Sequence, residues 1–272
     1  MVGVTVSGVF RVHLLVVGAL LAAHVAAKAL LLIGGHGHLM GFARVLDLDR
    51  EESVANFLSG LALFACAAAA ALLARAEPEA RAARGWGIVA ACLAFMALDE
   101  GAGLHDRLTG PLQAALGTGG VLYLAWVIPY AALAAGVSAL VLPLLRSLPR
   151  ATLLRLVAAG ALYVGSAIGM EMVAGSVLSA MSGGAPVADL DWREVGRDPR
   201  VIAAATLEEV GEMVAVALAL RALLLHLVGH LGADAVRLSV GGRRRRGAPA
   251  ARAVRTADAA EAGPRALGVA AE

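Results

Sequence analysis

Long apolar runs alternate with short polar segments along this chain, and six of the runs are close to the length of a membrane span. A helix of about 20 residues crosses a hydrocarbon core of roughly 30 Å, and backbone groups in lipid must satisfy one another. The pattern therefore predicts an all-α fold, a polytopic transmembrane helical bundle of about six spans. The predicted spans cover residues 12–33, 53–73, 86–101, 121–142, 152–181 and 201–227.

The composition supports the membrane class and sets the C-terminal segment apart. Hydrophobic residues make up 60% of the chain and the mean hydropathy is +0.78, which excludes an ordinary soluble domain. After Gly232 large apolar residues are few, and a run of arginines follows. We predict a six-helix transmembrane domain over 1–231 and a disordered basic cytoplasmic tail over 232–272. The arginine run is typical of a topology and anionic-lipid signal, so membrane lipids are expected partners and nucleic acid is not.

Charges between the predicted spans are sorted by sign. Arginine dominates the second and fourth connections and the tail, whereas acidic residues outnumber or balance arginine in the first, third and fifth connections. Because arginine-rich segments stay in the cytoplasm, we expect both termini there and the acidic connections outside the inner (plasma) membrane. The first apolar run is interpreted as a span, with a cleaved signal peptide as the alternative.

Six carboxylates lie inside the apolar runs, at middle or outer depth. A charged side chain at the centre of a membrane helix costs about 2.5–3.5 kcal/mol, so six unpaired carboxylates would cost on the order of 10–20 kcal/mol. Basic partners in the runs are few, namely His24, Lys28 and Arg221. Protonated carboxyl groups are one solution, and a bound divalent cation is the other. The six acids are Asp99, Glu100, Glu171, Glu208, Glu209 and Glu212.

The last span concentrates three of these acids on one side of a helix. Glu208 and Glu212 are four residues apart and Glu209 and Glu212 are three apart, so all three can border one cavity. Gly211 lies among them and is expected to let another helix approach closely. The spacing therefore favours a functional site formed by these three carboxylates.

The stretch FMALDEGAGLHDRL ends the third span with a second group of polar residues. Two glycines follow Asp99 and Glu100, and they are expected to loosen the helix. The chain can then fold His105 and Asp106 back toward the preceding carboxylates. Carboxylate and imidazole are ligands for Zn, Fe or Mn, so the stretch predicts the rim of a metal site.

Three motifs in a fixed order carry a resemblance to a family. They are LDLDREESVANFLSG before the second span, LDEGAGLHD at the end of the third and LEEVGEM in the last. In this order the chain resembles uncharacterised bacterial multi-pass membrane proteins over most of its length, up to about Val228. The resemblance implies a shared six-helix architecture and no known activity.

The leading hypothesis is a metal-dependent membrane enzyme, a hydrolase or an oxidoreductase, with a cavity open to the outside. Its substrate would be lipidic or delivered through the membrane. Glu209 and Asp106 are assigned to catalysis, with a glutamate as general base. The divalent ion (Zn, Fe or Mn) would be held by Asp99, Glu100, His105, Glu171, Glu208 and Glu212.

Two other functions remain open from the sequence. The same acids suit a channel or transporter that conducts cations or protons. They also suit a structural or assembly subunit, in which they would contribute only stability or partner binding. The sequence leaves the oligomeric state undetermined.

Overall fold

The computed structural model describes residues 5–34, 42–50 and 52–231 of the 272-residue chain. Every regular element within these ranges is helical and none is a strand, which confirms the all-α prediction. The predicted disordered tail at 232–272 lies outside the described residues and stays a prediction.

Ten α-helices occur in the described ranges. They are α1 (Val6–Gly34), α2 (Phe42–Val45), α3 (Val54–Ala76), α4 (Ala80–Ala102), α5 (Leu104–Leu116), α6 (Val127–Ser147), α7 (Arg150–Val164), α8 (Glu171–Met181), α9 (Trp192–Val195) and α10 (Pro199–Leu231). A π-helix, Gly165–Met170, joins α7 to α8 without a break in the helical segment. Short 3₁₀ turns lie at Gly120–Leu122 and Val187–Asp189.

Six segments of the described chain are long and apolar enough to cross a membrane. They match the six predicted spans, with α7, the π-helix and α8 forming the fifth. The fourth span differs at both ends, because residues 121–142 were expected whereas α6 covers Val127–Ser147. Gly120 has a φ of +60° and starts a 3₁₀ turn, so the chain bends before the helix begins.

Helix α10 lies at the centre of the bundle and packs against α1, α3, α7 and α8. Its buried leucines meet buried side chains of α3, α4 and α6 in the largest apolar core. Burial of a leucine side chain contributes about 1.5–3 kcal/mol, so this core is a main source of stability. Its largest members are Leu63, Leu73, Trp86, Leu144, Leu220, Leu223 and Leu227.

Gly211 lets the segment containing the π-helix approach α10. The Cα of Gly211 faces the buried side chain of Ser166 so closely that a Cβ at position 211 would collide with it. The expectation that Gly211 admits a neighbouring helix is confirmed.

Hydrogen bonds show which helix ends lie together. Asn56 at the start of α3 donates to the carbonyl of Glu100 at the end of α4, at 2.7 Å. His24, in the second half of α1, contacts Thr206 near the start of α10, with 3.1 Å between Nε2 and Oγ1. We call this end of the bundle, where α1, α4 and α8 finish and α3, α6 and α10 begin, the acidic end.

Candidate functional site

A sharp turn at the end of α4 builds the centre of the site. Gly103 has a φ of 54°, a left-handed conformation that favours glycine, and its N–H donates to the carbonyl of Asp99 at 2.8 Å. The turn starts α5 at once, and the N–H of His105 donates to Asp99 Oδ1 at 3.1 Å. The side chain of Asp99 thus satisfies a free N–H in the first turn of α5. The predicted return of His105 to Asp99 is what the structure shows.

The imidazole of His105 lies between two carboxylates. Its Nδ1 is 3.2 Å from Asp99 Oδ2, and its Nε2 is 3.5 Å from Asp106 Oδ1. Burial lowers the pKa of His105, but the hydrogen bond with Asp99 and the charges of Asp106, Asp99 and Glu171 outweigh burial and raise the pKa to about 9. The raised pKa favours the imidazolium form of His105 between these two carboxylates.

Aromatic side chains from the start of α6 enclose the His105 ring. Trp126 lies 4.8 Å from it and Tyr130 lies 6.2 Å from it, measured between ring centroids. Both rings also bind carboxylates, since Tyr130 donates its hydroxyl to Asp99 Oδ1 at 3.1 Å and Trp126 donates Nε1–H to Glu171 Oε2 at 3.1 Å. These two aromatic residues therefore connect Asp99 of α4 to Glu171 of α8.

The acids of α10 interact electrostatically with acids from two other helices. Glu208, Glu209 and Glu212 interact with one another, as their spacing predicted. Glu208 also interacts with Glu171 of α8, whereas Glu209 and Glu212 interact with Glu100 of α4. The charges of α4, α8 and α10 are thus coupled at the acidic end.

His105 is the cation that acts on both Glu171 and Glu212 in the described part of the chain. Two exposed acids on the solvent side also interact electrostatically with the half-buried glutamates of α8 and α10. Asp106 acts on Glu171, and Asp49 of the first connection acts on Glu171 and Glu208. The acids therefore form a series that begins with exposed Asp49 and Asp106 and continues to half-buried positions of α8 and α10.

The π-helix sets which side of α8 faces α10. Tyr163, one residue before the end of α7, interacts with Glu212, and Glu171, the first residue of α8, interacts with Glu208. In a regular α-helix, residues eight positions apart differ by about 80° around the axis. The wider π turn absorbs one residue, so both side chains face α10.

A separate network fixes α1 to α10. His24 is buried, its Nδ1 accepts the N–H of Leu48 at 3.0 Å, and its Nε2 is 3.1 Å from Thr206 Oγ1. The hydroxyl of Thr206 donates to the carbonyl of Ile202 at 2.6 Å, so its oxygen accepts from His24. The Nδ1 of His24 also lies 3.3 Å from Asp47 Oδ1, so the ring contacts both the first connection and α10.

Lys28 is paired outside the group of coupled acids. Its Nζ lies 2.8 Å from Asp47 Oδ2 in the first connection. Arg50 lies 3.7 Å from the same oxygen. The sequence suggested Lys28 as a partner for an acid of the spans, but the structure gives it to Asp47.

The described residues do not assemble the predicted metal site. No group of three or more His, Cys, Asp or Glu side chains within them is arranged to hold a metal ion. The prediction of a metal-binding carboxylate cluster is therefore unsupported, and binding of Zn, Fe or Mn stays a prediction. The proposed ligands divide into the Asp99–His105 pair and the coupled glutamates. The catalytic roles of Glu209 and Asp106 stay predictions.

Sequence reasoning missed the partners of these acids. Trp126 and Tyr130 each donate a hydrogen bond to a carboxylate at the acidic end, and Tyr163 interacts with Glu212. A signal was present, because Tyr123, Trp126 and Tyr130 are closely spaced in a chain with 4% aromatic residues. In the sequence, these three aromatic residues indicate only a part of the fourth span and not a set of partners for the acids.

Comparisons with known proteins locate the chain in one family. A search of the curated proteins and a search of the solved structures each found no match. A family model described as a domain of unknown function (DUF8692) matches residues 13–227, which include Asp99, His105, Glu171 and the acids of α10. The chain therefore belongs to the DUF8692 family.

Proposed function

We propose that this chain is a multi-pass protein of the bacterial inner membrane with both termini in the cytoplasm. Many large apolar side chains are exposed, among them Leu15, Phe57, Phe64 and Leu140, as a lipid-facing surface requires. Arginines lie at the end opposite the acidic end, where α3 meets α4 and α6 meets α7. By the positive-inside rule the acidic end then faces outward.

We further propose that the acidic end binds protons and that the protein is a proton-coupled transporter. The observation that carries this proposal is the position of five half-buried carboxylates on three helices of an apolar bundle, namely Glu100, Glu171, Glu208, Glu209 and Glu212. Like charges at such sites cannot all ionise away from water. Protons neutralise them one at a time and need no ligand geometry, which agrees with the absence of a metal-binding group among the described residues.

The order of the acids suggests a route for the proton. Asp49 and Asp106 are exposed, and both interact with Glu171. Glu171 interacts with Glu208, which in turn interacts with Glu212. Titratable groups in such a series are typical of proton relays in membrane proteins.

The route ends at the apolar core in this conformation. The core side chains of α3, α4 and α10 lie beyond Glu212 toward the opposite end, and Leu220 and Leu223 are among them. Transport therefore needs a second conformation in which this core opens. A site with access from one side at a time is what an alternating-access transporter requires.

Infrared titration of the protein in lipid nanodiscs tests the proton-binding step. We expect protonated carboxyl groups at neutral pH, and we expect Glu209→Gln and Glu212→Gln each to remove the signal of one group. Glu194→Gln is the matched control, because Glu194 is exposed on α9. Fully ionised carboxylates at neutral pH in the unmodified protein would overturn the proposal.

Proton flux into liposomes under an imposed membrane potential tests the transport step. We expect flux with the unmodified protein and with Glu194→Gln, and its loss with Glu212→Gln. Protonated carboxyl groups without flux would overturn transport and favour the structural role. One bound Zn, Fe or Mn per chain, lost in Glu208→Gln, would overturn the proposal in favour of the metal enzyme.

A further inference from the structure

A groove lies between α3 and α4 on the apolar surface of the bundle, next to the acidic end. Its volume is about 410 Å³, within the range of about 300–1,000 Å³ for ligand sites. Phe57 and Leu61 form the exposed apolar side, and Gly60, Ala97 and Gly101 keep the space open.

The polar lining of the groove is concentrated at one end. Glu52, exposed just before α3, is the charged residue of the lining, and Ser53 and Asn56 lie beside it. Leu61 lies seven positions after the first residue of α3, about 10 Å along the helix. The groove thus passes from an acidic rim to an apolar floor, in the order in which an amphiphile presents its head group and chain.

The floor of the groove borders the coupled acids. A Cβ at Gly60 would lie 3.8 Å from Glu100 Cγ, and the groove residue Asn56 donates to the carbonyl of Glu100. Glu100 interacts with Glu209 and Glu212. A molecule in the groove therefore lies close to Glu100, one of the acids of the proposed proton site.

We propose that this groove binds a long-chain amphiphile with a cationic amine head group, taken up sideways from the membrane. The acid of Glu52 attracts the ammonium group at the outer interface, and the alkyl chain lies against Phe57 and Leu61. The assignment deepens the proposed transport function, since it names the class of substrate. It rests on the proposed membrane placement.

Electron paramagnetic resonance with spin-labelled amphiphiles in nanodiscs measures this selectivity. Stearylamine, stearyl alcohol and stearate share one chain and differ in head group, and each is reported by its immobilised fraction. We expect the amine to bind about two- to fivefold more strongly than the alcohol, as a partly exposed ion pair allows. Stearate should bind most weakly.

Two variants separate the head group from the chain. Glu52→Gln should make the amine and the alcohol bind equally. Gly101→Leu should reduce the binding of the amine and the alcohol alike, because Gly101 lines the groove and a Cβ there meets no atom within 4 Å. Gly87→Leu is the matched control on α4, since position 87 is also open and lies outside the groove lining.

Equal immobilisation of the three amphiphiles by the unmodified protein would overturn the proposal. So would an amine preference that survives Glu52→Gln, or binding that Gly101→Leu and Gly87→Leu change alike. The assay reads lipid selectivity and not carboxyl protonation. Its failure is therefore distinguishable from failure of the proton-binding proposal.

Discussion

Deletion of Gly169 tests the register that the π-helix imposes between α7 and α8. Tyr163 and Glu171 are eight positions apart (171 − 163 = 8), which leaves them about 80° apart in a regular α-helix at about 100° per residue. With one residue absorbed by the π turn, seven effective steps bring this angle to about 20°. A deletion inside Gly165–Met170 makes the segment a regular helix with the same alignment.

We expect the deleted chain to keep the hydrogen bond between Trp126 and Glu171 and to lose at most about 1 kcal/mol of its free energy of unfolding. Insertion of one alanine after Gly165 is the matched perturbation. It rotates Glu171 by about 100° and breaks that hydrogen bond. A broken hydrogen bond costs about 0.5–3 kcal/mol, depending on the charge of the acceptor.

Fluorescence of Trp126 reads this contact in a Trp86→Phe/Trp192→Phe background, where Trp126 is the remaining tryptophan. Glu171→Gln should change the Trp126 emission in the parent and in the Gly169 deletion, but not in the insertion. Thermal unfolding gives the stability of each chain. The register argument is refuted by a deletion that removes the Trp126 response while the insertion keeps it.

Three other predictions concern charge, packing and metal. The pKa of His105 in the folded chain, about 9, exceeds the ordinary 6.5, so protonated His105 stabilises the fold by about 1–3 kcal/mol. This contribution is complete below pH 6.5 and is lost as the pH rises through 9. Thermal unfolding should show this fall in stability with pH, and a His105→Gln chain with the same fall contradicts the prediction. Gly211→Ala should lower the free energy of unfolding by about 1–3 kcal/mol in chemical unfolding, and Ser166→Gly should restore it. The control Gly229→Ala should cause no loss, because a Cβ there meets no atom within 4 Å. A Gly211→Ala chain of unchanged stability would refute the proposed packing. On the proposed proton-binding function, chelation by EDTA should leave the midpoint of thermal unfolding unchanged; a fall reversed by added Zn, Fe or Mn would show the reasoning to be wrong.

The hydropathy pattern sufficed for the architecture because each span must be apolar for about 20 residues. Gly211 and Gly103 were also predictable, since only glycine suits a close helix approach or a left-handed turn inside otherwise regular segments. The return of His105 to Asp99 follows from that turn. These features depend on residues close in sequence or on a single small residue.

The partners of the acids depended on contacts that local patterns do not encode. Trp126 and Glu171 are 45 positions apart, and their contact needs the bend before α6 and the extra residue of the π-helix. The π-helix has no sequence signature of its own, because its residues would also suit an α-helix. Lys28 was assigned by depth alone, whereas the first connection folds back and gives it Asp47.

The network around His24 has a consequence for the order in which the protein is made. Lys28 and Asp47 are 19 positions apart and can pair early, whereas His24 and Thr206 are 182 positions apart. At about 5–20 residues per second, the ribosome needs roughly 10–40 s to supply that partner. On the proposed membrane placement, Nδ1 of His24 can meet Leu48 early, whereas Nε2 stays in the bilayer without its partner for this interval. The last helix to be synthesised then fixes the first in the bundle. In a chain that ends before Thr206, α1 should therefore pack less tightly against the other helices.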